Sequence, residues 1–317
     1  MTANKLKLGW IGAGRMGYEM AQRLAKAGCD ITVWNRTKAK ADPLARDGAR
    51  VASHLTELAG CDVVFCMVST YEDVKEVIHG PQGMLSKSSK GEQARKGSAP
   101  RMLVECSSIS LEGSAELRAL LGEYGTQMLA APVSGNAKVI KAGKLSFVCS
   151  GPRAAFDEVA PLLAHIGPAA SYVGEGELAR IVKICHNVML GVVAQCMAEI
   201  TVLAEKAGVP RHAFLEFLNQ SVMGSMFTRY KTPAFVNLDF KVTFTPYLLR
   251  KDLDLGLAAG REFEVPMPLT SITRDLVQSM MGSGMSDQDF ATIVIQQATA
   301  SGIELKSENV PVSDGLH

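Results

Sequence analysis

The glycine pattern near the N-terminus constrains the fold more than any other feature of this chain. Residues 10–17 read WIGAGRMG, so glycines spaced as G-x-G-x-x-G follow the apolar run at 6–12 and open the amphipathic stretch at 16–28. Glycines at this spacing permit a tight turn and let backbone amides approach a pyrophosphate at the start of a helix. This strand–turn–helix context predicts a dinucleotide site, and a tight turn without a ligand is the alternative. The residues predicted to contact the dinucleotide are Gly12, Ala13, Gly14, Arg15, Met16 and Gly17.

The first half of the chain alternates short apolar runs with amphipathic stretches. Near-continuous apolar strands that are separated by helices indicate a parallel sheet covered on both faces. We therefore predict that residues 1–175 form an α/β domain of the doubly wound Rossmann type. The runs interpreted as strands are 6–12, 30–35, 62–68, 101–107, 127–133, 145–151 and 170–174.

From about residue 176 the pattern becomes helical. Residues 177–208 contain no proline and have glycine only at 191 and at the end, which predicts one helix over 177–207, roughly 45 Å long. Because this helix is apolar on most faces, we expect it to be buried on most faces, between the two halves of the chain or between subunits. Residues 176–317 are thus predicted to form an all-helical C-terminal domain that begins with this interdomain helix. Further helices are predicted over 212–220, 247–263, 269–284 and 289–300.

Composition and charge indicate an ordinary globular protein. The 317 residues are 47% apolar and 21% charged, with a net charge of +1, which does not favour general attraction to nucleic acid or to acidic membranes. We expect no signal peptide and no membrane span, because no apolar run is both long and free of charge. The basic segment 86–101 lacks aromatic residues and is predicted to be a solvated loop.

The seven cysteines lie mostly in apolar segments and form no CxxC pair. This favours buried thiols in a reducing compartment over a disulfide framework or a zinc site. The cytoplasm is therefore the predicted location, and no metal site is predicted.

The end of the second predicted strand bears on the choice between NADP(H) and NAD(H). NAD-specific sites usually place Asp or Glu there to bind the ribose 2′-hydroxyl, but this chain has Asn35, followed by Arg36 and Thr37. A guanidinium and a hydroxyl would bind a 2′-phosphate that a carboxylate would repel. We predict a preference for NADP(H), and a purely surface role of Arg36 is the alternative.

The apolar helix carries a lysine that needs an explanation. Lys183 and Asn187 lie four residues apart and so share one helix face. Burying an ammonium costs several kcal/mol unless it is compensated, so a functional lysine is favoured over one that extends along the helix to reach solvent. His186 lies about a quarter-turn from the line that joins them, and a packing or substrate-shell role is favoured for it over a catalytic one.

Five segments in order carry a resemblance to a known family. GWIGAGRMG, WNRT, APVSGNAKVIKAGKL, KICHN and RKDLDLGLAA resemble the motifs of the β-hydroxyacid dehydrogenase family, which includes 3-hydroxyisobutyrate dehydrogenases and glyoxylate/succinic semialdehyde reductases. The motifs span roughly residues 8–290. The resemblance implies a Rossmann domain, a long interdomain helix and a helical C-terminal domain.

The resemblance also implies roles for particular residues. The catalytic lysine of the family falls on Lys183 and its asparagine on Asn187. Motif positions that contact the substrate fall on Ser134, Gly135, Asn136, Ser108 and Phe244, and cofactor positions fall on Val68, Ser69, Ser108 and Lys251. Three residues depart from the usual motifs, namely Ala130 in place of Asp, Asn136 in place of Gly, and His186 in place of Asn.

These implications define the expected function. The chain is expected to be an NADP(H)-dependent oxidoreductase that interconverts a small β-hydroxyacid and its semialdehyde or keto form. Lys183 would be the general acid and base, because burial and a nearby positive nicotinamide lower the pKa of a lysine towards neutrality. A homodimer or homotetramer is expected.

Two other functions are left open by the sequence. Imine reductases share the fold, but they usually carry Asp or Tyr at the position of Lys183. The other is a non-catalytic NADP-binding sensor, which would typically lose the proton donor that Lys183 provides.

Overall fold

The computed structural model describes residues 6–86 and 99–316. Most of the loop that we predict at 86–101 therefore lies outside the described residues. The chain forms two compact units, Met1–Lys183 and Ile184–His317. The domain boundary predicted at residues 175 and 176 stays a prediction.

A six-stranded parallel sheet forms the centre of the first unit. Its strand order is β3-β2-β1-β4-β5-β6, and every pair of neighbours runs parallel. The chain therefore starts in the middle of the sheet and winds outward in both directions, as the sequence predicts. The strands are β1 (Lys7–Ile11), β2 (Asp30–Trp34), β3 (Arg50–Val51), β4 (Val63–Cys66), β5 (Met102–Glu105) and β6 (Gln127–Ala130).

Helices cover both faces of this sheet. Successive residues of a strand point to opposite faces, and in β4 Phe65 joins one hydrophobic core while Val64 joins the other. This explains why the central strands are apolar throughout rather than alternating. The helices that follow β1, β4 and β5 are α1 (Arg15–Lys26), α2 (Tyr71–His79) and α3 (Leu111–Glu123).

A smaller three-stranded sheet follows β6. Its order is β7-β8-β9, with β7 antiparallel to β8 and β8 parallel to β9. The strand predicted at 127–133 is in fact two strands, because the chain leaves the large sheet at Ala131 and Pro132. The elements are β7 (Val133–Ser134), α4 (Ala137–Lys141), β8 (Ser146–Cys149), α5 (Arg153–Ile166) and β9 (Ala169–Tyr172).

The predicted interdomain helix is α6, Leu178–Lys206. Within one chain the Met189 and Leu203 side chains of this helix are 68% and 69% exposed, so burial of most of its faces, between the two halves or between subunits, stays a prediction. The expectation that no segment could span a membrane needs correction, because α6 is long and apolar enough by length and composition. Core helices of soluble proteins satisfy the same criterion, and the buried, ion-paired Arg180 in its first turn fits a core helix.

The second unit is helical, as predicted. Its hydrophobic core packs residues of α6, such as Met197, against Leu215, Phe235 and Val277 of the later helices. The sequence did not predict α8, whose apolar and polar residues follow no clear helical period and which contains Pro233. The helices are α7 (Arg211–Gln220), α8 (Met226–Asn237), α9 (Pro246–Glu262), α10 (Pro268–Gly282) and α11 (Ile293–Ala300).

Candidate functional site

The glycine turn lies at the carboxyl edge of the sheet, between β1 and α1. Gly12 has a φ of +97°, and a Cβ added there would lie 2.2 Å from the carbonyl oxygen of Met67. A Cβ on Gly17 would lie 2.0 Å from the carbonyl oxygen of Gly12, whereas a Cβ on Gly14 would meet no described atom within 4 Å. The three glycines thus provide the turn, the open approach and the close helix packing that a dinucleotide site requires.

The start of α1 suits an anion. Gly14 is the N-cap, and the described first turn holds neither an acidic side chain nor a side-chain cap. The exposed amides at a helix N-terminus and the helix dipole both favour a phosphate. Arg15 is exposed beside this turn, and Met16 is partly buried.

Asn35 braces the glycine turn from the end of β2. Its Oδ1 accepts a hydrogen bond of 2.8 Å from the backbone amide of Ala13, and its Nδ2 donates to the carbonyl oxygen of Thr37 over 2.9 Å. The amide of Ala13 is therefore already paired within the protein. Asn35 contributes to the site through the shape of the turn.

Arg36 extends from the same loop into solvent. Its side chain is 86% exposed, and one guanidinium nitrogen lies 3.6 Å from Oδ1 of Asp73 at the start of α2. Asp73 also accepts hydrogen bonds from Thr70 in a capping box. The exposed Arg36 is thus in a position to contact an anion, with Asp73 as a neighbouring negative charge.

The ends of β4 and β5 are joined through a buried serine. The backbone amide of Val68 donates to Oγ of Ser107 over 3.0 Å, and the amide of Ser107 donates to Oε1 of Glu105 over 2.8 Å. These contacts bring together the two predicted cofactor segments, in which Ser69 is exposed and Ser108 is partly buried.

A buried ion pair extends this connection to α6. Arg180 and Glu105 are both essentially inaccessible to solvent, and Nη2 of Arg180 contacts Oε2 of Glu105. Nη1 of Arg180 donates to the carbonyl oxygen of Ser107 over 2.6 Å, and its Nε donates to Oγ of Ser114 over 3.0 Å. All three guanidinium nitrogens are therefore hydrogen-bonded.

Lys183 follows Arg180 by almost one helical turn. Its side chain is partly buried in the structure. The ion pair of Arg180 holds this turn of α6 against the end of β5, so the backbone that carries Lys183 has a fixed position within the first unit.

The predicted substrate segment lies at β7 and the start of α4. Ser134 is partly buried and Gly135 is exposed, with a φ of +139°. Asn136 is buried, and its Oδ1 accepts from the amide of Val139 over 3.2 Å as the N-cap of α4. The side chain that replaces the usual glycine thus has a local structural contact.

In the second unit, Asn187 is held by a neighbouring carboxylate. Its Nδ2 donates to Oδ2 of Asp252 over 2.5 Å, and its Oδ1 lies 2.9 Å from Nδ1 of His186. Lys251 Nζ lies 3.7 Å from Oδ1 of Asp252. The structure therefore brings together Asn187, His186 and the KD pair of α9, and the orientation of the Asn187 amide is set by Asp252.

Phe244 lies just before α9, beside a second buried ion pair. Its ring packs edge-on against Phe290 with centroids 5.8 Å apart. Asp289 pairs with Lys231 over 2.6 Å and accepts from the amide and hydroxyl of Thr243. The residues of this pair anchor the segment that carries Phe244.

The buried cysteine thiols have raised pKa values, which disfavour the reactive thiolate. Burial raises the pKa of Cys66 and Cys106 well above the usual range, and burial raises the pKa of Cys149 to about 12. All seven cysteines are free, with Cys185 and Cys196 exposed. Among the described residues no cluster of His, Cys, Asp and Glu could hold a metal ion.

The sequence motifs assign no role at the site to Glu105, Ser107, Arg180 or Asp73. A charged residue at the end of an apolar strand and an arginine in an apolar helix are unusual, and that contrast could have identified Glu105 and Arg180. Their pairing joins positions 75 residues apart, which no local pattern indicates.

Two family models together match most of the chain. Residues 7–174 match the NAD binding domain of 6-phosphogluconate dehydrogenase, and residues 177–296 match the NAD-binding region of NADP-dependent 3-hydroxyisobutyrate dehydrogenase. The fold and the glycine turn therefore define a pyridine-nucleotide-binding oxidoreductase of the hydroxyacid dehydrogenase type.

Similar proteins agree with this class. The chain is 30% identical to glyoxylate/succinic semialdehyde reductase 2 of Arabidopsis thaliana, over 91% of this chain and 78% of that protein. It is 28% identical to the cytokine-like nuclear factor N-PAC of Gallus gallus, over 92% of this chain but about half (52%) of that protein. A crystal structure of 3-hydroxyisobutyrate dehydrogenase from Salmonella typhimurium superimposes with a TM-score of 0.79 at 24% identity, covering 91% and 99% of the two chains. The chain belongs to the β-hydroxyacid dehydrogenase family.

Proposed function

We propose that the protein interconverts a small β-hydroxyacid and its semialdehyde or keto form with NADP(H), and that Lys183 is the general acid and base. The observation that carries this proposal is the pair of residues four apart on α6, a partly buried Lys183 and an Asn187 whose amide is fixed by Asp252. Similarity to a glyoxylate/succinic semialdehyde reductase and to the family model of NADP-dependent 3-hydroxyisobutyrate dehydrogenase supports the substrate class.

The chemistry assigns a distinct task to each residue. A bound nicotinamide supplies a site that accepts or donates hydride. In oxidation the Lys183 amine takes the proton from the substrate hydroxyl, and in reduction its ammonium returns that proton to the carbonyl oxygen. Asn187, held by Asp252, orients the reacting oxygen or the lysine, because a fixed amide costs no reorganisation when the substrate arrives.

The remaining predicted residues hold the two ligands. Ser134, Gly135 and Asn136 bind the acid end of the substrate, with Ser108 and Phe244 also in contact. The amides of the glycine turn, Val68, Ser69 and Lys251 hold the cofactor. Arg36 and Thr37 select NADP(H), because a guanidinium next to an uncharged Asn35 favours a 2′-phosphate.

The exposed apolar side chains and the free thiols bear on the assembly and the location of the protein. Every large apolar side chain that is exposed in the described part of the chain lies at or after Leu178. Exposed apolar surface of this kind marks interaction sites, so we infer a homodimer or homotetramer that forms through the helical unit. Seven free thiols fit a reducing compartment such as the cytoplasm.

A panel of small hydroxyacids and aldehydes, assayed with NADPH and with NADH, tests the function. Lys183→Ala is expected to lower kcat by at least a thousandfold, with the Kd for NADPH within threefold of wild type. Lys206→Ala, at the exposed end of the same helix, is the matched control and should leave kcat unchanged. Full activity in Lys183→Ala, or turnover of imines and of no hydroxyacid, would contradict the proposal. Tight NADPH binding without turnover of any substrate would favour the sensor.

A further inference from the structure

Among the described residues of the first unit, Glu105 and Arg180 are the most fully buried charged side chains. Both side chains are at most 1% exposed. Burying two charges carries a desolvation penalty, and replacing such a pair by well-packed apolar residues is often neutral or stabilising. Stability alone therefore does not explain why a charged pair lies at this place. The contacts of the pair indicate another role.

Those contacts join three segments that the proposed reaction needs. Arg180 lies in α6 almost one turn before Lys183, and it donates to Ser107, which directly precedes Ser108. Ser107 in turn accepts from the amide of Val68 at the end of β4. One ion pair thus fixes the loop after β4, the loop after β5 and the lysine-bearing turn of α6.

We propose that Glu105 and Arg180 are positioning residues that set the distance between Lys183 and the nicotinamide end of the cofactor site. Neither side chain reaches solvent, so the pair acts through the backbones that it holds rather than by touching a ligand. Misplacing a reacting group by about 1 Å can cost a hundredfold in rate. This inference rests on the proposed role of Lys183.

The glycine turn and Arg36 lie on other segments, so phosphate binding should survive the loss of the pair. The double variant Glu105→Leu/Arg180→Met removes both charges without leaving one unpaired. It is expected to lower kcat by at least tenfold at saturating NADPH, with the Kd for NADPH within threefold of wild type. The kcat–pH profile should also shift, because the surroundings of the Lys183 amine change.

The matched control is the exposed pair Arg101 and Glu158, a two-pronged contact on the surface of the same unit. Arg101→Met/Glu158→Leu removes the same charges and should change neither kcat nor the pH profile. If circular dichroism shows that the buried double variant does not fold, Arg180→Lys tests the positioning role instead. A lysine keeps the charge but cannot make the contacts of a guanidinium fork, so kcat should again fall at least tenfold.

The outcomes separate this inference from the proposed function. Wild-type turnover that depends on Lys183 but is unchanged in a folded double variant, or in Arg180→Lys, overturns the positioning role alone. Absence of hydroxyacid turnover by the wild type, or full activity of Lys183→Ala, refutes the proposed function and this inference with it. A fall in kcat together with a more than tenfold loss of NADPH affinity would indicate general collapse of the site and would also count against positioning.

Discussion

Arg36 and Asp73 offer a test of cofactor choice at the level of single residues. Arg36→Ala should weaken NADPH binding about tenfold to a hundredfold, the range expected for a lost charge-assisted hydrogen bond, and should leave NADH binding nearly unchanged. Asp73 lies 3.6 Å from Arg36, so Asp73→Asn should strengthen NADPH binding by removing a competing charge. Fluorescence titration with both nucleotides measures the two effects. Equal losses for NADPH and NADH in Arg36→Ala would contradict 2′-phosphate recognition.

Gly12 offers a second residue-level test. Gly12→Ala would place a Cβ 2.2 Å from the oxygen of Met67 at a φ of +97°, so the turn must distort. We expect loss of nucleotide binding and a destabilisation of more than about 2 kcal/mol. Gly28→Ala is the control, because its φ is also positive but no described atom lies within 4 Å of the added Cβ. The control should cost only about 1 kcal/mol and should bind nucleotide normally. Thermal unfolding and the same titration distinguish the two variants.

The structural role of a residue can be predicted from sequence where that role depends on the local backbone. The strain at Gly12 and the close packing at Gly17 follow from spacing in a strand–turn–helix unit. The contact of Asn35 with Ala13 spans 22 residues and the partner of Arg180 is 75 residues away, so the local sequence indicates neither contact. Side-chain pairing across the fold leaves no periodic trace in the sequence.

Among the secondary-structure elements, the long and strongly patterned ones were predictable. The strands β1, β2, β4 and β5 and the helix α6 lie within a few residues of their predicted ranges. The two-residue strands β3 and β7 are too short for any alternation to show. The sequence predicts burial of most faces of α6, but an apolar side chain on a helix does not reveal whether the partner that covers it belongs to the same chain.

The ion pair of Lys231 in α8 with Asp289, just before α11, should make the stability of the fold depend on pH. Burial raises the pKa of Asp289, but Lys231 and the backbone amides of Thr243 and Ala291 outweigh it, so the net pKa is lowered. A carboxylate with a lowered folded pKa stabilises the fold above its unfolded pKa of about 4, and that contribution is lost as the pH falls through the folded value.

Unfolding of Asp289→Asn and of wild type across pH 2 to 7 tests this contribution. Removing one partner of a buried pair costs about 3–5 kcal/mol, so Asp289→Asn should be clearly less stable at pH 7. The difference should shrink below about pH 4, as the wild-type carboxyl becomes protonated. Asp157→Asn, whose partner Arg153 is largely exposed, should show little difference at any pH. A gap that stays constant down to pH 2 would contradict the assigned charge effect.

At the scale of the whole molecule, the sequence predicts two units because the apolar period changes from strands to helices near residue 176. The structure divides into the compact units Met1–Lys183 and Ile184–His317, and this division falls inside α6. The residue at which a continuous helix passes from one packing environment to the next depends on the side chains that contact it. A helical pattern alone does not contain that information.

The exposed apolar residues of α6 lead to a last prediction, on assembly. Met189 and Leu203 lie fourteen residues apart, about four helical turns, and so on nearly the same face of the helix, and both are largely exposed. Burying such side chains against a second copy gains about 1.5–3 kcal/mol each, whereas a carboxylate there would oppose association. We therefore expect light scattering of the wild type to give twice or four times the 33.9 kDa chain mass.

Met189→Glu/Leu203→Glu should shift the mass towards that of one chain. It should also speed the reaction of a thiol reagent with Cys196, which is exposed in the isolated chain. Lys75→Glu, the same total change in charge at an exposed site of the first unit, should leave both readouts unchanged. A wild type that is already a single chain would show that these side chains are not a subunit interface.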